Sequence, residues 1–349
     1  MASAHPADLT VGADLTVEAD LIVGVDLGGT KILATVVRPD GTIIGREKRL
    51  TKAEKGSDTV LKRIVKAIRD AISVAEVTLD DIRAVGIGVP GPTDTKSGIV
   101  HEAPNLAWSE TPVAAILSEQ LGVPVYVGND TNLCTLAEFD LGAGRGATSM
   151  IGVFIGTGIG GGLILNGDLL DGATQAAGEI GHMIIRIGGP RCGCGRHGCT
   201  EALASRLAIE HRVMSMIEKG RDSMIQDLLA EKKKKNEIDQ RRIRSQMLAK
   251  AYTANDAIVR RAVDRSAWYV GVALAGAVHL INPEQIVVGG GLVEAIGQPY
   301  VDKVTQSIHE QTFDISHRNL KVTQAQLGDD AGVLGAVCLV RRRLTPTTP

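Results

Sequence analysis

The stretch LIVGVDLGGTKILATVV, residues 21–37, decides the fold of this 349-residue chain. An apolar run ends at Asp26, a turn with Gly28 and Gly29 follows, and a second apolar run begins at Lys31. Two such runs, rich in β-branched residues and separated by a glycine turn, predict a β-hairpin. A third run, TIIGREKRL, follows the turn PDG, so the chain is expected to open with three consecutive strands.

Helices and strands alternate after these three strands. The helix predicted from about Asp58 carries its apolar residues at helical spacing, and it is followed by IRAVGIGVP, PVAAILSEQLG, VPVYVGND and NLCTLAEFDLG, which complete the order βββαβαβα. A similar order returns after Gly144, beginning with SMIGVFIGTGIGGGLIL and ending with QIVVGGG, NLKVTQAQL and DAGVLGAVCLV. Two copies of one alternating unit predict an α/β protein of two sheet-centred domains around a cleft.

The domain boundaries follow from this repeat. Residues 1–20 contain related copies of ADLTV and are expected to form a loose extension. We predict a smaller α/β domain from residues 21–134 together with about 331–349. A larger α/β domain over 135–330 would contain a cysteine cluster and a helical insertion.

Composition excludes several classes of protein. The chain is 44% hydrophobic and 22% charged, which suits large globular cores. No run approaches the roughly 18 apolar residues of a membrane span, and the acidic N-terminus lacks a basic start, so we expect a cytoplasmic protein without membrane contact. A net charge of -2 and 3% aromatic residues give no general attraction to nucleic acid. The basic run EKKKKNEIDQRRIR is interpreted as a solvated helix or loop.

Glycine-rich segments occur at corresponding points of both halves. GIGVPG at 86–91 and GTGIGG at 156–161 fit the dinucleotide-binding pattern, but neither is followed by the helix that such a site requires. Glycines in a turn instead let backbone N–H groups approach a phosphate, a threonine hydroxyl adds a donor, and a carboxylate at a strand end can hold Mg²⁺ through water. We therefore predict nucleotide binding by Asp26, Gly28, Gly29, Thr30, Lys31, Gly156, Thr157 and Gly158, with Gly289, Gly290 and Gly291 near an adenosine.

Three of the five cysteines lie in CGCGRHGC, residues 192–199. With His182 they form the pattern H-x9-C-x-C-x4-C, and in a reducing compartment such a cluster favours a metal site over disulfides. Three thiolates and an imidazole, Cys192, Cys194, Cys199 and His182, predict a tetrahedral zinc site that is structural because protein ligands fill it. His197 is a rival ligand, which we expect to point to solvent. The nearby apolar residues 183–185 are predicted to form a core strand.

Six motifs carry a resemblance to a known family: VGVDLGGTK, GVPGP, VGNDTN, IGTGIGGG, AGEIGHM and CGCGRHGCTEALAS. From about residue 21 to 342 the chain resembles the ROK family of bacterial sugar kinases and sugar-responsive repressors, and AGEIGHM with GCTEALAS is most similar to its glucokinases. The resemblance implies an actin-like, ribonuclease H-like two-domain ATPase fold that uses ATP and Mg²⁺. The cysteines and His182 match the zinc ligands of that family.

The activity that the resemblance implies is phosphorylation of glucose at its 6-hydroxyl. Asp130 resembles the catalytic base of the family, although an Asn-Asp pair after a strand also suits a helix cap, and both roles are compatible. The remaining sugar hydroxyls would be bound by charged or amide groups and neighbouring backbone. The expected sugar-binding residues are Gly91, Asn105, Asn129, Asp130, Glu179, His182 and Glu201.

The predicted zinc site and the sugar site share His182. If one imidazole nitrogen binds the metal, the other carries its proton and can donate to a sugar hydroxyl. The metal would thereby fix the tautomer and direction of a substrate ligand. Glu179 and Glu201 lie three residues before His182 and two residues after Cys199, so zinc is expected to order the sugar site.

Alternatives remain open at this stage. A ROK repressor needs a helix-turn-helix module of roughly 60 residues before the DLGGT motif, whereas 25 residues precede Asp26 here. A kinase for another hexose or an N-acetylhexosamine, or a glucokinase that accepts polyphosphate, is the closer alternative. An inactive sugar sensor is disfavoured because Asp26, Asp130 and both glycine turns occur together. The family resemblance also implies a homodimer or homotetramer.

Overall fold

A computed structural model describes residues 20–234 and 242–345, with the side chains of residues 233 and 234 excepted. The expected N-terminal extension lies outside the described residues except for Asp20. So do residues 235–241 of the Lys-rich stretch and residues 346–349.

The described elements follow the alternating order read from the sequence. The strands are β1 Leu21–Leu27, β2 Lys31–Val37, β3 Ile43–Leu50, β4 Ile82–Val89, β5 Thr93–Asp94, β6 Ile99–Ala103, β7 Trp108–Thr111, β8 Val125–Asn129, β9 Met150–Ile155, β10 Ile159–Leu165, β11 Asp168–Leu169, β12 Gln285–Gly289 and β13 Lys321–Gln324. The helices are α1 Ser57–Val74, α2 Val113–Leu121, α3 Asp130–Asp140, α4 Thr200–Ala204, α5 Arg206–Glu218, α6 Met224–Lys234, α7 Ser245–Thr253, α8 Ala257–Ile281, α9 Gly291–Ile296, α10 Gln298–Gln311, α11 Asp314–His317 and α12 Ala331–Leu344.

The chain divides into two compact units. Among the described residues, unit 1 contains residues 20–137, Gly172–Ala176 and residues 330–345, and unit 2 contains Glu138–Asp171 and residues 177–234 and 242–329.

Unit 1 is built on a five-stranded sheet in the order β3-β2-β1-β4-β8. The first three strands are antiparallel neighbours, whereas β1, β4 and β8 run parallel. A short second sheet pairs β5, β6 and β7. The hairpin predicted from residues 21–37 therefore supplies the centre of the larger sheet.

Helices cover this sheet closely. The apolar face of α1, including Ile64 and Ile68, is fully buried and joins the core formed with β1, β2 and β4. Helix α12 lies against β1 and β4 at two glycines, since a Cβ atom on Gly24 or Gly86 would lie 2.2 or 2.1 Å from a carbonyl oxygen of α12. Glycine at these positions lets the helix backbone contact the sheet directly.

Unit 2 repeats the same arrangement of strand directions. Its sheet has the order β11-β10-β9-β12-β13, with β9 and β10 antiparallel and β9, β12 and β13 parallel. Helices α5, α7, α8, α9 and α10 contribute to its core, in which Tyr300 is almost fully buried. The prediction of two copies of one alternating unit is confirmed by the matching sheets.

Helix α8 is the longest helix described, with 25 residues. No helix within residues 20–234 and 242–345 combines the length and apolar character needed to cross a membrane.

Candidate active site

Two predicted carboxylates lie at one edge of the sheet in unit 1. Asp26 is the penultimate residue of β1 and pairs in register with Gly88 of β4, which pairs with Gly128 of β8. Asp130 begins α3 directly after β8. Because the carboxyl ends of parallel neighbours meet at the same edge, this edge presents both carboxylates, where a substrate hydroxyl and a hydrated cation could be held.

The cap of α3 is Asn129 rather than Asp130. The side-chain oxygen of Asn129 accepts hydrogen bonds from the backbone N–H groups of Thr131 and Asn132, each at 3.1 Å. This is the capping geometry of a residue that precedes a helix. Asp130 is therefore the first helical residue, and its Oδ1 atom accepts from the N–H of Thr131 at 2.8 Å.

Two of the predicted sugar ligands of unit 1, Asn129 and Gly91, contact each other. The amide nitrogen of Asn129 donates to the carbonyl oxygen of Gly91 at 3.2 Å. Gly91 has a φ of 92°, and a Cβ atom there would lie 2.0 Å from the carbonyl oxygen of Glu102. Asn105 lies beside Gly29, whose added Cβ would be 3.6 Å from that of Asn105. Capping occupies the oxygen of Asn129 and Gly91 accepts one of its two amide N–H groups, so the remaining N–H is what Asn129 offers a sugar.

The first hairpin, Gly28–Lys31, joins β1 and β2. The N–H of Gly28 donates to the carbonyl of Lys31 at 2.9 Å. Thr51 supports the turn from β3, since its hydroxyl donates to the carbonyl of Gly28 at 2.6 Å and its N–H donates to the carbonyl of Thr30 at 2.9 Å. Thr51 is fully buried, so these bonds hold the turn from the protein side.

The second hairpin, Gly156–Gly158, joins β9 and β10 in unit 2. The N–H of Gly156 donates to the carbonyl of Gly158 at 2.9 Å, and Thr157 at the tip is exposed. A strand follows GTGIGG, which confirms that this motif is not a dinucleotide-binding turn.

The predicted adenosine segment, Gly289–Gly291, lies next to the second hairpin. Gly289 ends β12 and pairs with Phe154 of the parallel neighbour β9. Gly290 has a φ of 90°, and a Cβ atom there would lie 2.6 Å from the backbone nitrogen of Ile155. Only glycine fits this close approach. Both glycine segments of unit 2 therefore meet at the carboxyl edge of its sheet.

The predicted metal ligands converge. One ligand atom from each of His182, Cys192, Cys194 and Cys199 lies within 4.8 Å of the other three. The Sγ atoms of Cys194 and Cys199 are 3.7 Å apart, and Sγ of Cys192 is 3.7 Å from Nδ1 of His182. Two sulfurs bound tetrahedrally to one zinc ion at about 2.3 Å would be separated by about 3.8 Å. The cluster therefore has the donors and spacing of a structural zinc site, and exposed His197 is not part of it.

The thiols of this cluster differ in acidity. Burial raises the pKa of Cys192 to about 12, whereas a hydrogen bond from the backbone N–H of Arg196 is the main cause that lowers the pKa of Cys194 to about 7. Burial also raises the pKa of Cys199. A bound cation would be needed to keep all three sulfurs as thiolates at neutral pH.

Of the three predicted sugar ligands of unit 2, His182 belongs to the cluster, and Glu179 and Glu201 lie beside it. Because Nδ1 of His182 faces Cys192, its Nε2 atom points the other way and lies 4.0 Å from Oε2 of Glu179. Glu201 spans two features: its Oε1 atom accepts from the Cys192 thiol at 3.5 Å, and its Oε2 atom accepts from the N–H of Ile159 at 3.0 Å. The carboxylate of Glu201 thus connects the cysteine cluster with the second hairpin.

The prediction of a core strand over residues 183–185 is wrong. Ile184 makes only an isolated bridge with Cys199, and its side chain is 56% exposed. The carbonyl of Met183 instead accepts from both the N–H and the hydroxyl of Thr200, at 2.9 and 3.0 Å. Residues 183–185 therefore lie beside the cysteine cluster and do not join a sheet.

Two supporting residues were missed by sequence reasoning. Thr51 follows β3 and holds the first hairpin, and Arg206 begins α5 and donates to the hydroxyl of Thr157 at 3.1 Å. Arg206 follows Ser205, which caps α5, and this cap is the only local signal in the sequence. A capping serine predicts the start of a helix and carries no information about the contacts of the arginine after it.

Comparison with known proteins agrees with this geometry. The model of the ROK family matches residues 22–343. The chain belongs to the ROK family. A relative named glucokinase from Halalkalibacterium halodurans is 33% identical over 320 residues, which cover 91% of this chain and 94% of that protein. A relative named xylose repressor from Caldicellulosiruptor bescii is 30% identical over 90% of this chain and 77% of its own length.

Solved structures of the ROK family share the fold. A ROK family glucokinase from Streptomyces griseus, in complex with glucose and AMPPNP, matches with a TM-score of 0.79 and 30% identity over 92% of this chain and 99% of that one. The ROK fold is the actin-like, ribonuclease H-like ATPase fold, so the predicted fold class is confirmed.

Proposed function

We propose that this ROK protein transfers the γ-phosphoryl group of ATP to the 6-hydroxyl of glucose. The observation that carries the proposal is the position of Asp130, a carboxylate at the sheet edge of unit 1 whose preceding residue performs the helix capping. The names of the relatives support the choice of reaction, since glucokinases occur among them at 33% identity over most of the chain.

In this proposal Asp130 accepts the proton of the sugar hydroxyl as the phosphoryl group arrives. Phosphoryl transfer asks little covalent chemistry of a protein, so the rest of the work is positioning and charge neutralisation. Asp26 would hold Mg²⁺ through water, and the N–H groups of the two hairpins would bind phosphate oxygens. The segment Gly289–Gly291, on the strand beside the second hairpin, would contact the adenosine.

Zinc would be held by His182, Cys192, Cys194 and Cys199, and it would supply rigidity rather than an activated water because four protein ligands complete its shell. With Nδ1 of His182, which faces Cys192, bound to zinc, the proton of the neutral imidazole would reside on Nε2. That N–H, the carboxylates of Glu179 and Glu201, and groups of Gly91, Asn105 and Asn129 would bind the sugar hydroxyls.

The decisive experiment is a coupled assay of the purified protein with MgATP against glucose, mannose, fructose and N-acetylhexosamines. Glucose is expected to give the highest kcat/KM, and a higher value for another hexose would replace it as the substrate. Polyphosphate in place of ATP tests the donor. Absence of turnover with every sugar, together with a shift of DNA fragments on a gel, would favour a repressor like the relative from Caldicellulosiruptor bescii.

Asp130→Asn tests the base. We expect kcat to fall by about 10³-fold or more while the calorimetric Kd for glucose stays within about threefold, because a general base acts in the transition state. Asp140→Asn, at the opposite end of α3, is the matched control and should retain full activity. Activity of Asp130→Asn above a tenth of the original would refute the assignment.

A further inference from the structure

Arg206 carries a buried positive charge at a place where helices disfavour one. It is the first residue of α5, capped by Ser205, and it is 9% exposed. The N-terminus of a helix bears partial positive charge, so a cation there is unfavourable unless other groups compensate it. Glu210, one turn later, compensates this charge, because its Oε2 atom lies 3.0 Å from Nη1 of Arg206.

The guanidinium of Arg206 is aimed at the second hairpin. Its Nη2 atom donates to the hydroxyl of Thr157 at 3.1 Å, and Nη1 also donates to the carbonyl of Ile243 at 2.7 Å. The backbone N–H of Arg206 donates to the carbonyl of Gly156 at 3.0 Å. One residue thus contacts two of the three residues of the turn.

The bond from Arg206 fixes the hydrogen-bonding role of the Thr157 hydroxyl. A guanidinium only donates, so the hydroxyl oxygen of Thr157 must accept, and its own hydrogen points elsewhere. Thr157 is exposed, and within the described residues this hydroxyl has no acceptor for that hydrogen. A hydroxyl that accepts from a charged donor is polarised and becomes a better donor to an anion.

We propose that Arg206 is a positioning residue that acts through Thr157 to strengthen binding of the nucleotide phosphates. This inference rests on the proposed function, because it takes the second hairpin as a phosphate-binding loop. Arg206 itself is covered by protein and neutralised by Glu210, so it contributes by fixing the hydroxyl of Thr157.

The test compares five variants with the original protein, of which the fifth adds Thr157→Val to the double variant. Thr157→Val removes the hydroxyl without disturbing the buried pair, and Thr157→Ser restores it. The double variant Arg206→Gln with Glu210→Gln removes the guanidinium without leaving its carboxylate partner charged and buried. Arg212→Gln is the control, because Arg212 also lies on α5 but donates to the carbonyls of Leu203 and Ala262 rather than to the second hairpin.

We expect Thr157→Val and the double variant each to raise the KM for MgATP by about tenfold, the loss of one hydrogen bond to a charged group. The KM for glucose should change less than about twofold, and Thr157→Ser and Arg212→Gln should stay near the original values. Thr157→Val added to the double variant should cost no more than either alone, since both remove the same interaction.

Calorimetric titration with MgADP separates this inference from the proposed function, because it requires no sugar turnover. Failure to phosphorylate any hexose would overturn the proposed function, whereas the affinity of the variants for MgADP would still decide the role of Arg206. Three results would overturn the role of Arg206. The first is a KM for MgATP of Thr157→Val within twofold of the original value. The others are fully additive effects of Thr157→Val and the double variant on that KM, or equal increases in the KM values for MgATP and glucose. Thermal unfolding of each variant identifies loss by misfolding.

Discussion

The first hairpin in unit 1 and the second hairpin in unit 2 are related in sequence but differ in what supports them. Each places glycines and a threonine after a buried strand. A neutral, buried hydroxyl from Thr51 supports the first hairpin. Charged groups support the second, namely the guanidinium of Arg206 at Thr157 and the carboxylate of Glu201 at Ile159.

The difference shows that two related hairpins can respond differently to a perturbation elsewhere in the protein. Glu201 also contacts Cys192, so the second hairpin is connected to the cysteine cluster. The first hairpin is held instead by Thr51 and by the bond from Gly28 to Lys31. A perturbation of the cluster should therefore reach the second hairpin and spare the first.

Metal removal should produce the largest difference between the two hairpins. Saturating zinc at about 1,000 times its Kd would contribute about 4 kcal/mol, so chelation should lower the Tm of unit 2 by about 10 °C. The KM for glucose should rise far more than that for ATP, because His182 and Glu179 lose their alignment directly, whereas the second hairpin keeps its bond to Arg206. Hydrogen exchange should accelerate at the amides of Ile159 and Thr200 and remain slow at Thr51.

Cys194→Ser should reproduce these effects of chelation, with Cys134→Ser as the control because Cys134 lies outside the cluster. Equal increases in the two KM values, or equal acceleration of exchange in both units, would contradict the connection between the metal site and the sugar site.

Gly158→Ala tests whether Glu201 supports the second hairpin, and its effect should be the next largest. A Cβ atom at Gly158 would lie 2.2 Å from Oε2 of Glu201, so that carboxylate must move and release the buried N–H of Ile159. The expected cost is about 2 kcal/mol of unfolding free energy, with a Tm lower by about 4–8 °C. Gly156→Ala is the matched control, since nothing lies within 4 Å of its added Cβ. Similar Tm values for the two variants would show that Glu201 does not support the turn.

Thr51→Val should have the smallest effect and concerns the first hairpin. It removes the hydroxyl bond to the carbonyl of Gly28 but keeps the backbone bond to Thr30. We expect a loss of about 1 kcal/mol, measured by urea unfolding, because a single neutral hydrogen bond is broken. Thr51→Ser should recover most of it. A loss larger than that of Gly158→Ala would reverse the order proposed for the two hairpins.

Much of the fold followed from the sequence because its signals are local. Helix α1 was expected from about Asp58 and begins at Ser57, and the strands flanking residues 28–30 lie where the apolar runs were read. The convergence of His182 with the three cysteines was predictable because three of these four residues lie within eight positions of the sequence. The prediction for residues 183–185 was wrong because a local signal can also be ambiguous. Three apolar residues do not distinguish a core strand from an exposed bridge beside Cys199.

The sequence by itself determined the alternating order of elements, the two glycine turns and the four donors of the proposed metal site, because hydrophobic periodicity and turn chemistry act over a few residues. Only the tertiary structure decided that Asn129 caps α3 in place of Asp130, and that Arg206 and Glu201 support the second hairpin. Those partners are 49 and 42 residues from the groups they bind. Hydrogen bonds over such separations depend on how sheets and helices pack, so local sequence patterns do not predict them.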